Sequence, residues 1–278
     1  KAQALVMEYL PGDDIHQLRE SVMEGRSRRM AVEDAVFLTA DVMLPLLRKL
    51  HEAGVVHRDV KPSNCVRSST TEKEFCMVDF GLSKSVVVPE DSDIADKEHP
   101  WPGEWMRPMR CSSKGCLRKE RSKADFRGTS MYASPRIHQL RDYSPRDDMW
   151  SLMYVFCDLV SGGLPWMSHA SNRDRAGCQR VKERVHGMAG KPDETEQLLM
   201  GDLFHLSKYK RSGPNHIVSD PLNAHKDEKK VVLLRQSFAH LASLGFSDTP
   251  DYDLLQRNIN GFLELPNTDP PMWRSEGL

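Results

Sequence analysis

No stretch of the 278 residues stays apolar for the roughly 20 positions that a bilayer-spanning helix requires. Neither sign of charge is in excess: 39 Lys and Arg stand against 40 Asp and Glu, a formal net charge of -1. Electrostatics therefore give no reason to expect a nucleic-acid partner. Cysteine is sparse and unpatterned, six in all, which suits a reducing compartment better than a disulfide framework. Cys111 and Cys116 could be half of a zinc site, but no second pair follows at a matching spacing. With 39% hydrophobic residues, the chain can nevertheless bury one sizeable core. These absences predict a globular intracellular protein, cytoplasmic or nuclear, with neither membrane nor nucleic acid as partner.

What is present falls into blocks. Ala4 to Tyr9 reads as a buried strand, so the chain is expected to begin inside a domain. Pro11-Gly12 ends it, and Asp13-Asp14 precede a short helical stretch through Leu18. From Val32 to Leu50 apolar residues recur at three- and four-residue steps or their sums, which predicts an amphipathic helix. Pro45 interrupts it, and the hydrogen bond that proline removes predicts a kink there. Gly54 closes this helix, and Val55-Val56, Cys65-Val66 and Phe75 to Val78 read as short strands. Residues 83 to 125 turn charged and rich in Pro, Ser, Arg and Lys, with Trp101 and Trp105 isolated among them, which predicts a long mobile loop. Met149 to Val160 is the most hydrophobic helical run and is expected at the centre of the core. A second polar interval spans 191 to 230, where Leu198, Leu199, Leu203 and Leu206 could form a turn or two of helix. Closing helices follow from Val231 to Leu265, interrupted near Gly245 and Pro250.

The chemistry is concentrated in two polar loops. His57-Arg58-Asp59-Val60-Lys61-Pro62-Ser63-Asn64 and, after two short strands, Asp79-Phe80-Gly81 supply a carboxylate, an ammonium, an amide oxygen and a second carboxylate. Phosphoryl transfer needs such groups, because a hydroxyl must be positioned, a cation held against phosphates and spreading charge offset. Together the two segments resemble the catalytic loop and the magnesium loop of protein kinases. The resemblance implies that Asp59 orients or accepts the proton of the attacking hydroxyl and that Lys61 lies beside the transferred phosphoryl. It implies that Asn64 and Asp79 hold Mg2+, for which hard oxygen ligands are suited. By the same likeness His57, Arg58, Phe80 and Gly81 are supporting residues, His57 being a packed one. Arg58 could be neutralised by a phosphate on the following loop, with Ser83, Ser85, Ser112, Ser113 and Ser122 as candidates.

The likeness extends further. Met7-Glu8-Tyr9-Leu10 looks like the hinge whose backbone would hydrogen-bond adenine, with Met7 as gatekeeper. Gly128-Thr129-Ser130-Met131-Tyr132 looks like the substrate-docking loop, represented by Gly128, Thr129 and Tyr132. Asp147-Asp148-Met149-Trp150-Ser151-Leu152 resembles the start of the central helix, so Asp148 is expected to brace the catalytic loop. Gly162-Gly163-Leu164-Pro165-Trp166 matches the turn after that helix. Lys61 is the serine/threonine pattern. Ser134-Pro135-Arg136 stands where most kinases have Ala-Pro-Glu, a departure shared with the casein kinase I group. Phe126 to Thr129, Tyr132 to Ser134, Lys182-Glu183-Arg184, Leu241 to Leu244 and Pro250 to Tyr252 look most like the tau-tubulin kinases within that group. Met131 replaces the basic residue with which casein kinase I members bind phosphate on primed substrates.

The implied fold is protein kinase-like α+β: a mainly α-helical C-lobe with short strands, the small N-lobe being largely absent. Residues 1–10 would be the end of the N-lobe and the hinge, 11–265 the C-lobe with polar insertions at about 83–125 and 191–230, and 266–278 a tail. A glycine-rich loop and its partner lysine are not found, and Gly187-Met188-Ala189-Gly190-Lys191 lacks the spacing of a phosphate loop. The implied activity is that of an ATP- and Mg2+-dependent serine/threonine protein kinase acting on protein hydroxyls, with this stretch alone inactive. The alternative is a pseudokinase scaffold, against which the retention of Asp59, Lys61, Asn64 and Asp79 counts.

Overall fold

The computed structural model describes residues 8–21, 28–69, 74–103, 105, 114–186 and 221–263. The strand expected from Ala4, Met7 of the hinge, Cys111, Ser112, Ser113, Gly187 to Lys191, the leucines between 198 and 206 and the tail from 266 lie outside these residues.

Helix α1 (Ile15–Ser21) follows the Asp14 turn and buries Ile15 and Leu18. Arg19 on it is also buried and pairs with Asp158 at 2.7 Å. The long periodic segment forms α2 (Val32–Val36), π-helical turns at Phe37–Met43 and α3 (Leu44–Glu52) without a break. The irregularity expected at Pro45 is thus moved ahead of it. The N–H of Leu44 donates to the carbonyl of Thr39, five residues back. The proline that would serve Ala40 in this wider register has no N–H. The orphaned Ala40 carbonyl accepts instead from Gln256 Nε2 at 3.0 Å. We expect Gln256→Leu to destabilise the protein by about 1 kcal/mol, since a partly buried acceptor loses its donor. An unchanged urea midpoint would show that the π register does not depend on this bond.

Antiparallel pairs of very short strands frame the polar loops. β1 (Val55–Val56) precedes the first loop, and β2 (Cys65–Arg67) pairs with β3 (Phe75–Met77) between the two loops. β4 (Lys84–Ser85) returns to β1, with Val56 opposite Lys84. Gly54 must be glycine here: its φ is +75°, and a Cβ would lie 2.6 Å from Val87 Cγ2.

The segment expected to be a mobile loop carries a sheet. β5 (Val87–Pro89), β6 (Ala95–Pro100) and β7 (Gly115–Arg118) form three antiparallel strands in the order β5-β7-β6. Val56, Val86, Val87, Trp105 and Leu117 build a small core of their own, with Trp101 packed against it. The two tryptophans that look isolated in sequence are what this sheet packs on.

Short α4 (Pro135–His138) leads to α5 (Pro145–Ser161). α5 begins with Asp147 Oδ2 accepting the Ser144 N–H at 3.0 Å and Pro145 in the first turn, and ends at Gly162 with φ +80°. Every residue of it except Val160 is buried, as expected of the central helix. α6 (Met167–Ser171), α7 (Arg175–Val185), α8 (Pro221–Ser243) and α9 (Tyr252–Asn260) complete the order. α8 starts inside the interval read as polar, and the break between α8 and α9 falls where Gly245 and Pro250 place it. α5 packs against α2, α3 and α8, and Trp150, Tyr154 and Phe156 sit in this single core. At about 1.5–3 kcal/mol for each large apolar side chain fully buried, this contact outweighs any local propensity. No described helix is long and apolar enough to cross a membrane.

Candidate active site

The first polar loop is held by one carboxylate. Asp148, fully buried on α5, accepts the N–H of His57 at 2.7 Å and that of Arg58 at 2.9 Å. Its Oδ2 also faces His51 Nε2 at 3.0 Å. A carboxylate can only accept, so that nitrogen carries the proton, and Nδ1 lies 2.9 Å from the Tyr252 hydroxyl. These bonds keep Arg58 at φ +68°, a conformation that side chains other than glycine adopt rarely. His57 has no spare nitrogen. Nε2 donates to the Val78 carbonyl at 3.0 Å, Nδ1 accepts the Asp59 N–H at 3.3 Å, and the ring lies 5.1 Å from that of Phe80. It is a packed residue.

Three of the other expected residues meet at Asp59, which is 7% exposed. Lys61 Nζ donates to its Oδ2 at 2.7 Å, and Thr129 Oγ1 donates to its Oδ1 at 2.7 Å. Asn64 Nδ2 donates to the Asp59 carbonyl at 2.9 Å, which leaves Asn64 Oδ1 as the atom able to face a cation. Asp79 follows directly on Val78, whose N–H donates to the Asn64 carbonyl at 3.0 Å. Its backbone is left-handed, with φ 61° and ψ 63°, and Oδ1 receives only a long 3.4 Å contact from Gly81 N. Two hard oxygen donors with few protein partners match what Mg2+ takes from a protein.

The segment from Gly128 to Tyr132 reaches the same point from the other side. Gly128 lies so close to the first polar loop that a Cβ would sit 2.4 Å from the Arg58 carbonyl, and its φ is +90°. Only glycine fits. Tyr132 points elsewhere: its hydroxyl donates to Asp158 at 2.9 Å, the partner of Arg19. Of the residues expected to form a hinge, Glu8 and Leu10 have no regular structure, and Tyr9 is 83% exposed. Phe80 is also open, at 49%.

The Arg58 side chain donates through Nε to the Leu82 carbonyl. A second carboxylate that sequence reading missed lies beside it. Asp142, buried, accepts from Arg118 Nη2 at 2.7 Å and from Arg121 N, Nε and Nη2 at 3.1, 3.0 and 2.8 Å. Burial would raise this carboxyl, but the Arg121 hydrogen bonds and the charges of Arg118 and Lys84 hold it down at about 2. It therefore stays ionised and ties the sheet insert, through Arg118 of β7, to the segment before α5. Burial and the Arg118 charge push Lys84 down to about 8. Of the serines offered as phosphate carriers, Ser83 Oγ is buried, Ser85 Oγ donates to Val87 O at 2.5 Å and Ser122 is exposed. Asp142 carries no sequence signal of its own, since its partners are 21 and 24 residues away.

The sequence model of the protein kinase domain matches residues 1–222. The chain belongs to the protein kinase family. Its relatives include a "probable serine/threonine-protein kinase" of Dictyostelium discoideum, 26% identical over 258 residues, covering 92% of this chain and 38% of the relative. Casein kinase I homolog 2 of Schizosaccharomyces pombe is 27% identical over 247 residues, covering 88% and 44%. Casein kinase 1-like protein HD16 of Oryza sativa subsp. japonica is 31% identical over 180 residues, covering 63% and 22%. These likenesses group this kinase chain with casein kinase I, as the departure at Ser134-Pro135-Arg136 implied. The chain spans less than half the length of the relatives it matches.

Proposed function

We propose that the protein containing this chain transfers the γ-phosphoryl group of ATP to serine or threonine hydroxyls of protein substrates. The observation that carries this reading is the bonded cluster of Lys61, Asn64 and Thr129 around Asp59, at 2.7, 2.9 and 2.7 Å. Asp59 orients the attacking hydroxyl and receives its proton, and the Lys61 ammonium beside it offsets charge on the transferred group. Asn64 and Asp79 would hold Mg2+, which when bound neutralises phosphate oxygens. The backbone at Glu8 to Leu10 takes the adenine, and Gly128 and Thr129 set the path of the peptide. His57, Arg58, Asp148, Phe80 and Gly81 support these groups without touching the reacting atoms. Within the casein kinase I group, the tau-tubulin-like segments at Phe126 to Ser134 and Lys182 to Arg184 favour that subtype.

The test is phosphate transfer to a serine- and threonine-containing peptide library by the full-length protein. Asp79→Ala is expected to abolish detectable transfer while leaving the melting temperature within a few degrees, because the side chain makes one long hydrogen bond. Undiminished transfer by that variant removes the metal role. No transfer by the wild type favours a scaffold that keeps the fold without the chemistry. This chain alone, without a glycine-rich loop over the phosphates, is expected to show little or no activity.

A further inference from the structure

Lys182 on α7 is the anomaly of the core. It is fully buried, yet among the described residues no carboxylate lies within ion-pair distance of it. Its Nζ donates to the carbonyls of Ser130 at 2.7 Å and Ala133 at 2.6 Å and stands 3.2 Å from His138 Nε2. The rings of Tyr154 and Trp166 flank it, each 4.9 Å from Nζ to centroid. An isolated buried ammonium is among the costliest groups a core can hold. Two carbonyls, a neutral imidazole and two aromatic faces offset that cost here without any acid. Burial and the Lys182 charge push His138 down to about 3, so its ring is neutral, and its Nε2 also lies 3.3 Å from the Ser130 carbonyl. An amine in this place keeps two N–H donors for the two carbonyls whether or not it is charged.

The carbonyls it grips belong to the loop opposite Asp59. Trp166 Nε1 takes the intervening Met131 carbonyl at 2.7 Å. Ser130, Met131 and Ala133 are therefore all held from below through their backbone, while Thr129 at the near end bonds to Asp59. The same turn thus runs from Asp59 to the buried lysine, and residues 128–132 along it are half-buried.

We propose that Lys182 is a positioning residue for the protein substrate: by anchoring the Ser130 and Ala133 carbonyls it fixes the peptide-facing backbone at a set distance from Asp59. This rests on the kinase reading of the site. Displacing such a loop by about an ångström can cost up to roughly 100-fold in a rate, and here the loss belongs to the peptide, not to ATP.

Lys182→Met in the full-length protein, assayed below its melting temperature, is expected to raise KM for a peptide substrate on the order of tenfold. KM for ATP should stay within about twofold, since no ATP-facing residue touches Lys182. Amide hydrogen exchange at residues 129–133 should quicken while residues 59–64 keep their protection, and Lys182→Arg should recover part of the peptide KM. An unchanged peptide KM, equal changes in both KM values, or unchanged exchange at 129–133 overturns the proposal. Should Lys182→Met not fold, Lys182→Gln, which keeps two N–H donors on a shorter stem, is measured against the same outcomes. If the wild type phosphorylates no peptide, the kinase reading fails on that result, and the exchange experiment alone decides whether Lys182 anchors the loop.

Discussion

Asp59→Asn is expected to lower kcat for peptide phosphorylation by about 10²- to 10⁴-fold, the range that a positioned general base contributes. Two effects act in the same direction. The amide cannot take the proton of the attacking hydroxyl. It also places an N–H₂ donor or a neutral oxygen where Oδ2 now receives the Lys61 ammonium at 2.7 Å, so Lys61 loses the charge that aims it. Thr129 can still donate to the remaining oxygen, and the backbone carbonyl of Asp59 still holds Asn64. Melting temperature and KM for ATP should therefore change little, and their constancy is the control. A kcat within tenfold of the wild type would mean that Asp59 only shapes the loop.

Asp148→Ala should be the most destabilising single change near the site. It leaves the N–H groups of His57 and Arg58 without acceptors beside a buried wall. Each buried donor left unpaired costs about 1–3 kcal/mol, so the loss is about 2–6 kcal/mol, before His51 is counted. Arg58 adds to it. A left-handed arginine persists only where its surroundings hold it, and Asp148 is what holds this one. Asp148→Asn retains one acceptor oxygen and should lose about half as much. Urea unfolding of the two variants checks the order, and equal midpoints for alanine and asparagine would show that the brace is not made by these bonds. Because Arg58 adjoins Asp59, kcat should fall with the brace even under conditions where the variant is folded.

The two polar loops were readable because their chemistry is local. Asp59, Lys61 and Asn64 lie within six positions on a chain that turns sharply, and the strands around Asp79 are marked by Cys65-Val66 and Phe75 to Val78. Helix α5 was equally plain, since its run from Met149 to Val160 is apolar on more than one face. The insert between 83 and 125 was not. β6 reads Ala95-Asp96-Lys97-Glu98-His99-Pro100, with no apolar alternation to betray a strand. It exists because β7 supplies a ladder partner, itself held by the cluster of Val56, Val86, Val87, Trp105 and Leu117. Neither condition is visible in a short window. The same holds for the π turns ahead of Pro45, whose Ala40 carbonyl is met by Gln256, more than 200 residues away.

What the sequence determined by itself is which groups are available for phosphoryl transfer and which helix forms the core, because both follow from residue type at short spacing. The tertiary structure decided which distant side chains hold those groups in place. Asp148 on the His57-Arg58 loop, Asp142 on Arg118 and Arg121, and Lys182 on the Ser130 to Ala133 turn are each bound across 21 or more residues of chain. The physical reason is burial. A carboxylate or an ammonium is tolerated in a core only when enough partners converge on it, and that convergence is a property of packing in three dimensions.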